Sequence, residues 1–210
     1  MEKKKARLLA ESGVMIALAA ILSLIKIFAL PYGGSVTLCS MLPIMLIAYR
    51  NGTKWGLLTG FAYGIIQLIL DIPSGVFKGI TLGAVAGVVV FDYLIAFTVL
   101  GLAGLFKNKI KNPVPSILCG VLIAGVARYL SHAASGFIFW SDYAEWFFGQ
   151  EGFALGQSIL SKFSGNTLSL VYTLFYNGTF MIPEIIITSI VSVLIVGVFV
   201  LNEKRVAVKS

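Results

Sequence analysis

The chain is a succession of apolar runs separated by short polar loops, and this alternation leaves few folds open to it. Six runs can be drawn, at 8–30, 36–49, 55–70, 76–106, 114–140 and 168–201. Most come close to or exceed the roughly 20 residues that an α-helix needs to cross a bilayer. In hydrocarbon each backbone N–H and C=O must find a partner within the protein, so such segments are helical. The second run has only 14 residues and either crosses obliquely or lies partly within the bundle. The fourth is longer than one crossing and is tilted, protrudes, or is broken at a glycine. Pro183 is placed at the first turn of the last spanning helix, where a missing N–H costs nothing. Only 12% of the residues are charged, 58% are hydrophobic and the mean hydropathy is +0.95. A soluble domain carries about a quarter charged residues, so the expected fold is an all-α integral membrane protein of six transmembrane helices. Residues 1–210 form one membrane domain, and the opening MEKKKAR leads into a retained first span rather than a cleaved signal.

The loops fix the orientation. Lys3, Lys4, Lys5, Arg7, Arg50, Lys54, Lys107, Lys109, Lys111, Lys204, Arg205 and Lys209 make up 12 of the 16 cations, and six spans put all of them on one side. The positive-inside rule then assigns both termini to the cytoplasm. The net charge of +7 is therefore a topology signal and not a nucleic-acid surface. On the outer side, the 141–167 loop carries Tyr143, Trp146, Phe147, Phe148, Phe153 and Phe163. That much apolar surface caps the bundle or lies on the membrane interface. Cys39 and Cys119 fall inside apolar runs and read as two buried thiols without a disulfide.

Ionisable residues within the runs are Glu11, Lys26, Asp92, Arg128, His132 and Glu184. Glu11 and Lys26 lie near the ends of the first run, where long side chains snorkel to the interface. Asp92, within VVVFDYLIAF, has no loop in reach, so it either pairs with a cation such as Arg128 or receives a cationic ligand. Arg128, His132, Gly136 and Trp140 recur every four residues and share one helical stripe about 18 Å long. Together with Asp92, Tyr93 and the Tyr172 to Asn177 segment they can bring a carboxylate, aromatic faces and neutral hydrogen-bonding groups towards one pocket. Such a pocket suits a flat, positively charged heteroaromatic ligand.

One histidine and no thiolate cluster leave a zinc site without ligands. GxGxxG, Walker, HExxH and GxSxG motifs are absent, so catalytic residues are not assigned. Uphill movement of a solute then draws on an ion gradient or a partner. Gly13 and Ala17 in the first run form a small-xxx-small pattern that admits a neighbouring helix.

The segments RLLAESGVMIALAAILS, FDYLIAFTVLGLAGLF, ARYLSHAASGFIFWSDYA and VYTLFYNG together resemble the thiamine-specific S component (ThiT/YuaJ type) of energy-coupling factor (ECF) transporters. The resemblance runs from about Arg7 to Leu201. It implies six helices in a prokaryotic plasma membrane, a thiamine pocket near the outer face closed by the first outer loop, and partnership with a transmembrane coupling subunit (T component) and two ABC ATPases. It implies no cofactor. Asp92 falls where the family has an acidic residue, usually Glu, followed by Tyr93. His132, Gly136 and Trp140 match the family's histidine, glycine and stacking tryptophan, and Arg128 replaces a lysine. Tyr172 and Asn177 align with a tyrosine and an asparagine that hydrogen-bond the vitamin. Gly13 and Ala17 fall on the motif that meets the coupling subunit. The first outer loop, PYGGS, lacks the tryptophan of some members, so lid contacts pass to Tyr32 or to backbone groups. The rivals are an S component for another heterocycle, such as hydroxymethylpyrimidine or riboflavin, an ion-coupled carrier working alone, and an intramembrane enzyme using Asp92 and His132 as an acid–base pair.

Overall fold

Residues 2–30 and 33–209, with side chains through Leu201, are described by a computed structural model. Tyr32, expected to contribute to a lid, lies outside the described residues. Helix α1 (Glu2–Leu24) is followed by a two-stranded antiparallel hairpin, β1 (Lys26–Ala29) and β2 (Ser35–Thr37), with Lys26 opposite Thr37 and Ala29 opposite Ser35. Then come α2 (Leu42–Asn51), α3 (Thr53–Asp71), α4 (Leu82–Gly104), α5 (Pro113–Phe139), two short helices α6 (Ala144–Phe148) and α7 (Ala154–Leu160), and α8 (Gly165–Lys209).

Among the described residues, five helices are long and apolar enough to cross a membrane: α1, α3 with its 3-10 extension to Ser74, α4, α5 and α8 to Leu201. The segment at 36–49 is built differently. Its helix α2 has 10 residues, about 15 Å of rise, and the remaining depth is covered by β2 and a turn. Leu42, Ile44, Met45, Ile47 and Ala48 are buried among the other helices. Non-helical backbone is tolerated at membrane depth where protein surrounds it or it lines a cavity, and the hairpin does line one. The first run accordingly stops being helical at Leu24 rather than continuing to 30. The fourth run begins its helix at Leu82, after a turn region, where Thr81 Oγ1 accepts the Ala84 N–H at 3.3 Å.

Pro183 does not start the last helix. It lies inside α8, which begins 18 residues earlier at Gly165. A proline there removes one helical hydrogen bond, a defect that packing against neighbouring helices makes tolerable in membrane segments. At 45 residues, about 68 Å of rise, α8 exceeds the thickness of any bilayer core.

Glycines set how closely the helices meet. Gly56, Gly60 and Gly64 form one stripe of α3 against α4, where a Cβ on Gly60 would fall 2.4 Å from the Phe97 carbonyl oxygen. The 141–167 segment is a folded aromatic cap: Phe148 is fully buried and packs with Phe153, Tyr172 and Phe175, while Trp146, Leu155 and Phe163 face outward. At the other end Glu11 reaches Arg50 of α2 at 2.7 Å. Both cysteines are free thiols, Cys39 buried and Cys119 half-buried.

Candidate functional site

Helix α5 starts where Asn112 Oδ1 accepts the Val114 N–H and Pro113 occupies the first turn. From there it carries the stripe Arg128, His132 and Gly136 to Trp140, its C-terminal cap. The stripe forms one wall of a cavity of about 600 Å³. That volume lies in the usual range for small-molecule sites, about 300–1,000 Å³. Asp92 and Tyr93 from α4, Tyr172, Tyr176, Asn177, Phe180 and Glu184 from α8, and the β1–β2 hairpin line the rest. All eight cavity residues expected from the sequence are therefore brought together: Asp92, Tyr93, Arg128, His132, Gly136, Trp140, Tyr172 and Asn177.

Asp92 sits in a π-helical stretch, Val89–Ile95, of α4. Such wide turns recur at functional sites because they re-aim a side chain and loosen the backbone ladder. The Phe91 carbonyl in this stretch also accepts the Ser131 hydroxyl from α5. Asp92 Oδ1 lies 2.7 Å from His132 Nδ1, and Oδ2 accepts the Ser135 hydroxyl. Arg128 Nε lies 3.2 Å from His132 Nε2. A guanidinium cannot accept a hydrogen bond, so Nε2 is the lone-pair nitrogen and the imidazole proton sits on Nδ1, directed at Asp92.

The direct Asp92–Arg128 pair considered from the sequence is thus replaced by a relay through a neutral imidazole. Arg128 also rests its guanidinium 4.4 Å from the centroid of Phe97, a cation–π contact. The Asp92 side chain stays about 20% exposed, towards the cavity. A carboxylate has about four lone-pair sites, so two protein donors leave room for a ligand.

The other expected residues do mixed work. Tyr93 donates its hydroxyl to Asp71 Oδ2 at 3.1 Å. The Asn177 amide nitrogen donates to the Thr173 carbonyl at 2.8 Å, which orients the side chain. Gly136 is a contact point between α5 and α8: a Cβ there would lie 2.1 Å from Thr173 Oγ1. Trp140 packs at 5.7 Å from Tyr143 at the aromatic cap. Gly13 and Ala17 are remote from the cavity's lining, and on α1 both are exposed, with open space at the Gly13 Cα.

Several cavity residues were not assigned from the sequence. Asp71 falls between the third and fourth apolar runs and Lys26 near the end of the first, yet both line the cavity. Glu184 is 2% exposed and lines it from α8. The rule that singled out Asp92 applies equally to Glu184, but starting the helix at Pro183 puts Glu184 at a terminus rather than at the cavity. Asp71, Asp92 and Glu184 face Lys26, Lys78 and Arg128 in this lining, so acids and bases balance in number. The lining therefore presents no excess of acidic over basic side chains to whatever enters it.

With the geometry in place, comparison with known proteins decides the family. The thiamine transporter protein (Thia_YuaJ) family matches residues 9–152, well over half of the chain. The chain belongs to this family. The thiamine transporter ThiT of Bacillus subtilis (strain 168) is 29% identical over 194 residues, covering 87% of this chain and 86% of its own length. The ThiT of Lacticaseibacillus paracasei is 33% identical over 113 residues, 50% of this chain and 54% of its own. A ThiT structure from Listeria monocytogenes superimposes with a TM-score of 0.67 over 93% of this chain and 96% of that one, at 22% identity, which establishes the shared fold. The thiamine transporter family consists of transporters rather than enzymes, and this member is a multi-pass membrane protein. The geometry also speaks against an acid–base enzyme: His132 Nε2, the nitrogen that a general base would present to substrate, faces Arg128 instead.

Proposed function

We propose that the chain is the thiamine-binding S component of an ECF-type uptake transporter, taking the vitamin at the outer face and delivering it inward when coupled to an ATP-driven module. The observation that carries this reading is a cavity in which a partly exposed carboxylate, Asp92, shares the lining with an indole, Trp140, in a member of a thiamine transporter family. Thiamine carries a permanent positive charge on one aromatic ring and hydrogen-bonding groups on the other. Asp92 pairs with the cationic ligand, Trp140 stacks on it, and Tyr172 and Asn177 serve its polar groups. Arg128 and Tyr93 hold the lining, and His132 fixes Asp92.

The exposed face of α1 at Gly13 and Ala17 receives the T component, and two ABC ATPase subunits supply the energy. Both termini lie in the cytoplasm of a prokaryotic cell, a placement the basic loops support. Calorimetric titration of the purified protein with thiamine, riboflavin and hydroxymethylpyrimidine tests the ligand assignment. Thiamine is expected to bind far more tightly than the other two. Preference for riboflavin or the pyrimidine would transfer the chain to another vitamin.

A further inference from the structure

Strand β2 is held along both edges. One edge pairs with β1. The other meets α8, where Tyr176, Phe180 and Glu184 follow one another at intervals of four and share a face of the helix. The Tyr176 hydroxyl donates to the Gly33 carbonyl at 2.9 Å. Gly34, at φ +82, sits against Phe180 so closely that a Cβ would lie 2.5 Å from its ring. Glu184 closes the row: its Oε2 accepts the Thr37 N–H at 2.7 Å and its Oε1 the Thr37 hydroxyl at 2.6 Å. Ser40 Oγ lies 2.7 Å from the same Thr37 oxygen. Glu184, Thr37 and Ser40 are all buried.

Two features set this contact apart from ordinary packing. A carboxylate receiving two donors from one residue makes short, charge-assisted bonds. Thr37 N–H is also a strand-edge donor that would otherwise be an orphan. Directly after the strand, Cys39 holds a left-handed conformation at φ 59, and its N–H bonds the Thr37 carbonyl at 2.9 Å. Non-glycine residues keep such a conformation where their surroundings over-determine it. The same hairpin supplies Lys26, Ala29, Gly33, Gly34, Ser35 and Thr37 to the cavity lining.

We propose that Glu184 is a positioning residue for ligand retention: by clamping Thr37 it fixes β2 as a wall of the cavity and sets how fast a bound ligand leaves. Recognition belongs to Asp92, whose side chain is still open to the cavity, whereas both oxygens of Glu184 are engaged by the strand. The ligand-release arm of this inference rests on the thiamine reading above; the strand arm does not.

The test uses the full-length purified protein with Cys39 and Cys119 replaced by alanine and Val36→Cys as a reporter, Val36 being 5% exposed. Labelling of this thiol by a water-soluble maleimide reads opening of the strand without any ligand. Glu184→Gln and the isosteric Thr37→Val are each expected to speed labelling by about tenfold or more, the scale set by loss of a charged hydrogen bond. In stopped-flow measurements they are expected to speed thiamine dissociation by a similar factor while association changes little. The double variant is expected to be no worse than the more severe single one. Unchanged labelling in both variants would overturn the proposal. So would loss of thiamine binding in Glu184→Gln with labelling unaltered, which would make Glu184 a ligand contact. If the parent binds no thiamine, the functional reading falls, and the labelling rates alone support or overturn the clamp.

Discussion

Asp92 Oδ1 and His132 Nδ1 lie 2.7 Å apart, and the opposite nitrogen of the same imidazole faces Arg128 Nε. The arrangement orients a partly exposed carboxylate without a direct ion pair: the hydrogen bond it accepts comes from a neutral ring, and the guanidinium stays one residue removed. Asp92→Asn is expected to weaken thiamine by about 1.5–3 kcal/mol, the range for a charged hydrogen bond, and to affect a neutral analogue much less. Calorimetry with both ligands checks this, and equal losses would mean that Asp92 is structural.

Gly136 is where α5 touches α8. Gly136→Ala places a methyl about 2 Å from Thr173 Oγ1, so the helices must separate or the threonine must move. The expected cost is about 1–3 kcal/mol of stability, read as a lower melting temperature of the solubilised protein. Combining it with Thr173→Ala is expected to recover part of the loss.

Phe148 anchors the aromatic cap and is fully buried among Phe147, Phe153, Tyr172 and Phe175. Phe148→Ala is expected to cost about 3–5 kcal/mol locally. Because this cluster meets the main core through Trp140 and Tyr176 alone among the described apolar side chains, helical circular dichroism is expected to persist while proteolysis within 141–167 accelerates.

Gly13 offers open space on the outer side of α1. Gly13→Leu is expected to leave thiamine affinity unchanged and to abolish uptake in vesicles that also contain the coupling subunit and ATPases. Normal uptake would remove this face from the docking surface.

How far the sequence anticipated these features depends on which interactions determine them. The Arg128, His132, Gly136, Trp140 stripe was legible because α-helical periodicity is local and a polar stripe in an apolar run must turn inward. Helix α5 was drawn at 114–140 and runs Pro113–Phe139, since a proline and an asparagine cap mark its start. The pairing of Lys26–Ala29 with Ser35–Thr37 was hidden, because the first apolar run carries Lys26–Ala29 as a helix end while its extended partner is held from α8 by Glu184. The π-helical stretch at Asp92, whose Phe91 carbonyl accepts the Ser131 hydroxyl of α5, has no local signature. Glu184 is named among the ionisable residues of the runs but not assigned to the cavity: Pro183 beside it takes its meaning from soluble helices, where it marks a beginning, rather than from membrane helices, where it is tolerated inside.

The central claim is that thiamine stacks on Trp140 beside Asp92, and one titration addresses it directly. The chain has three tryptophans, so Trp55→Phe with Trp146→Phe leaves Trp140 as the single indole emitter. Thiamine is expected to quench most of this protein's tryptophan fluorescence, saturating at one ligand per chain. Saturable thiamine binding by calorimetry with no change in Trp140 emission would contradict the account.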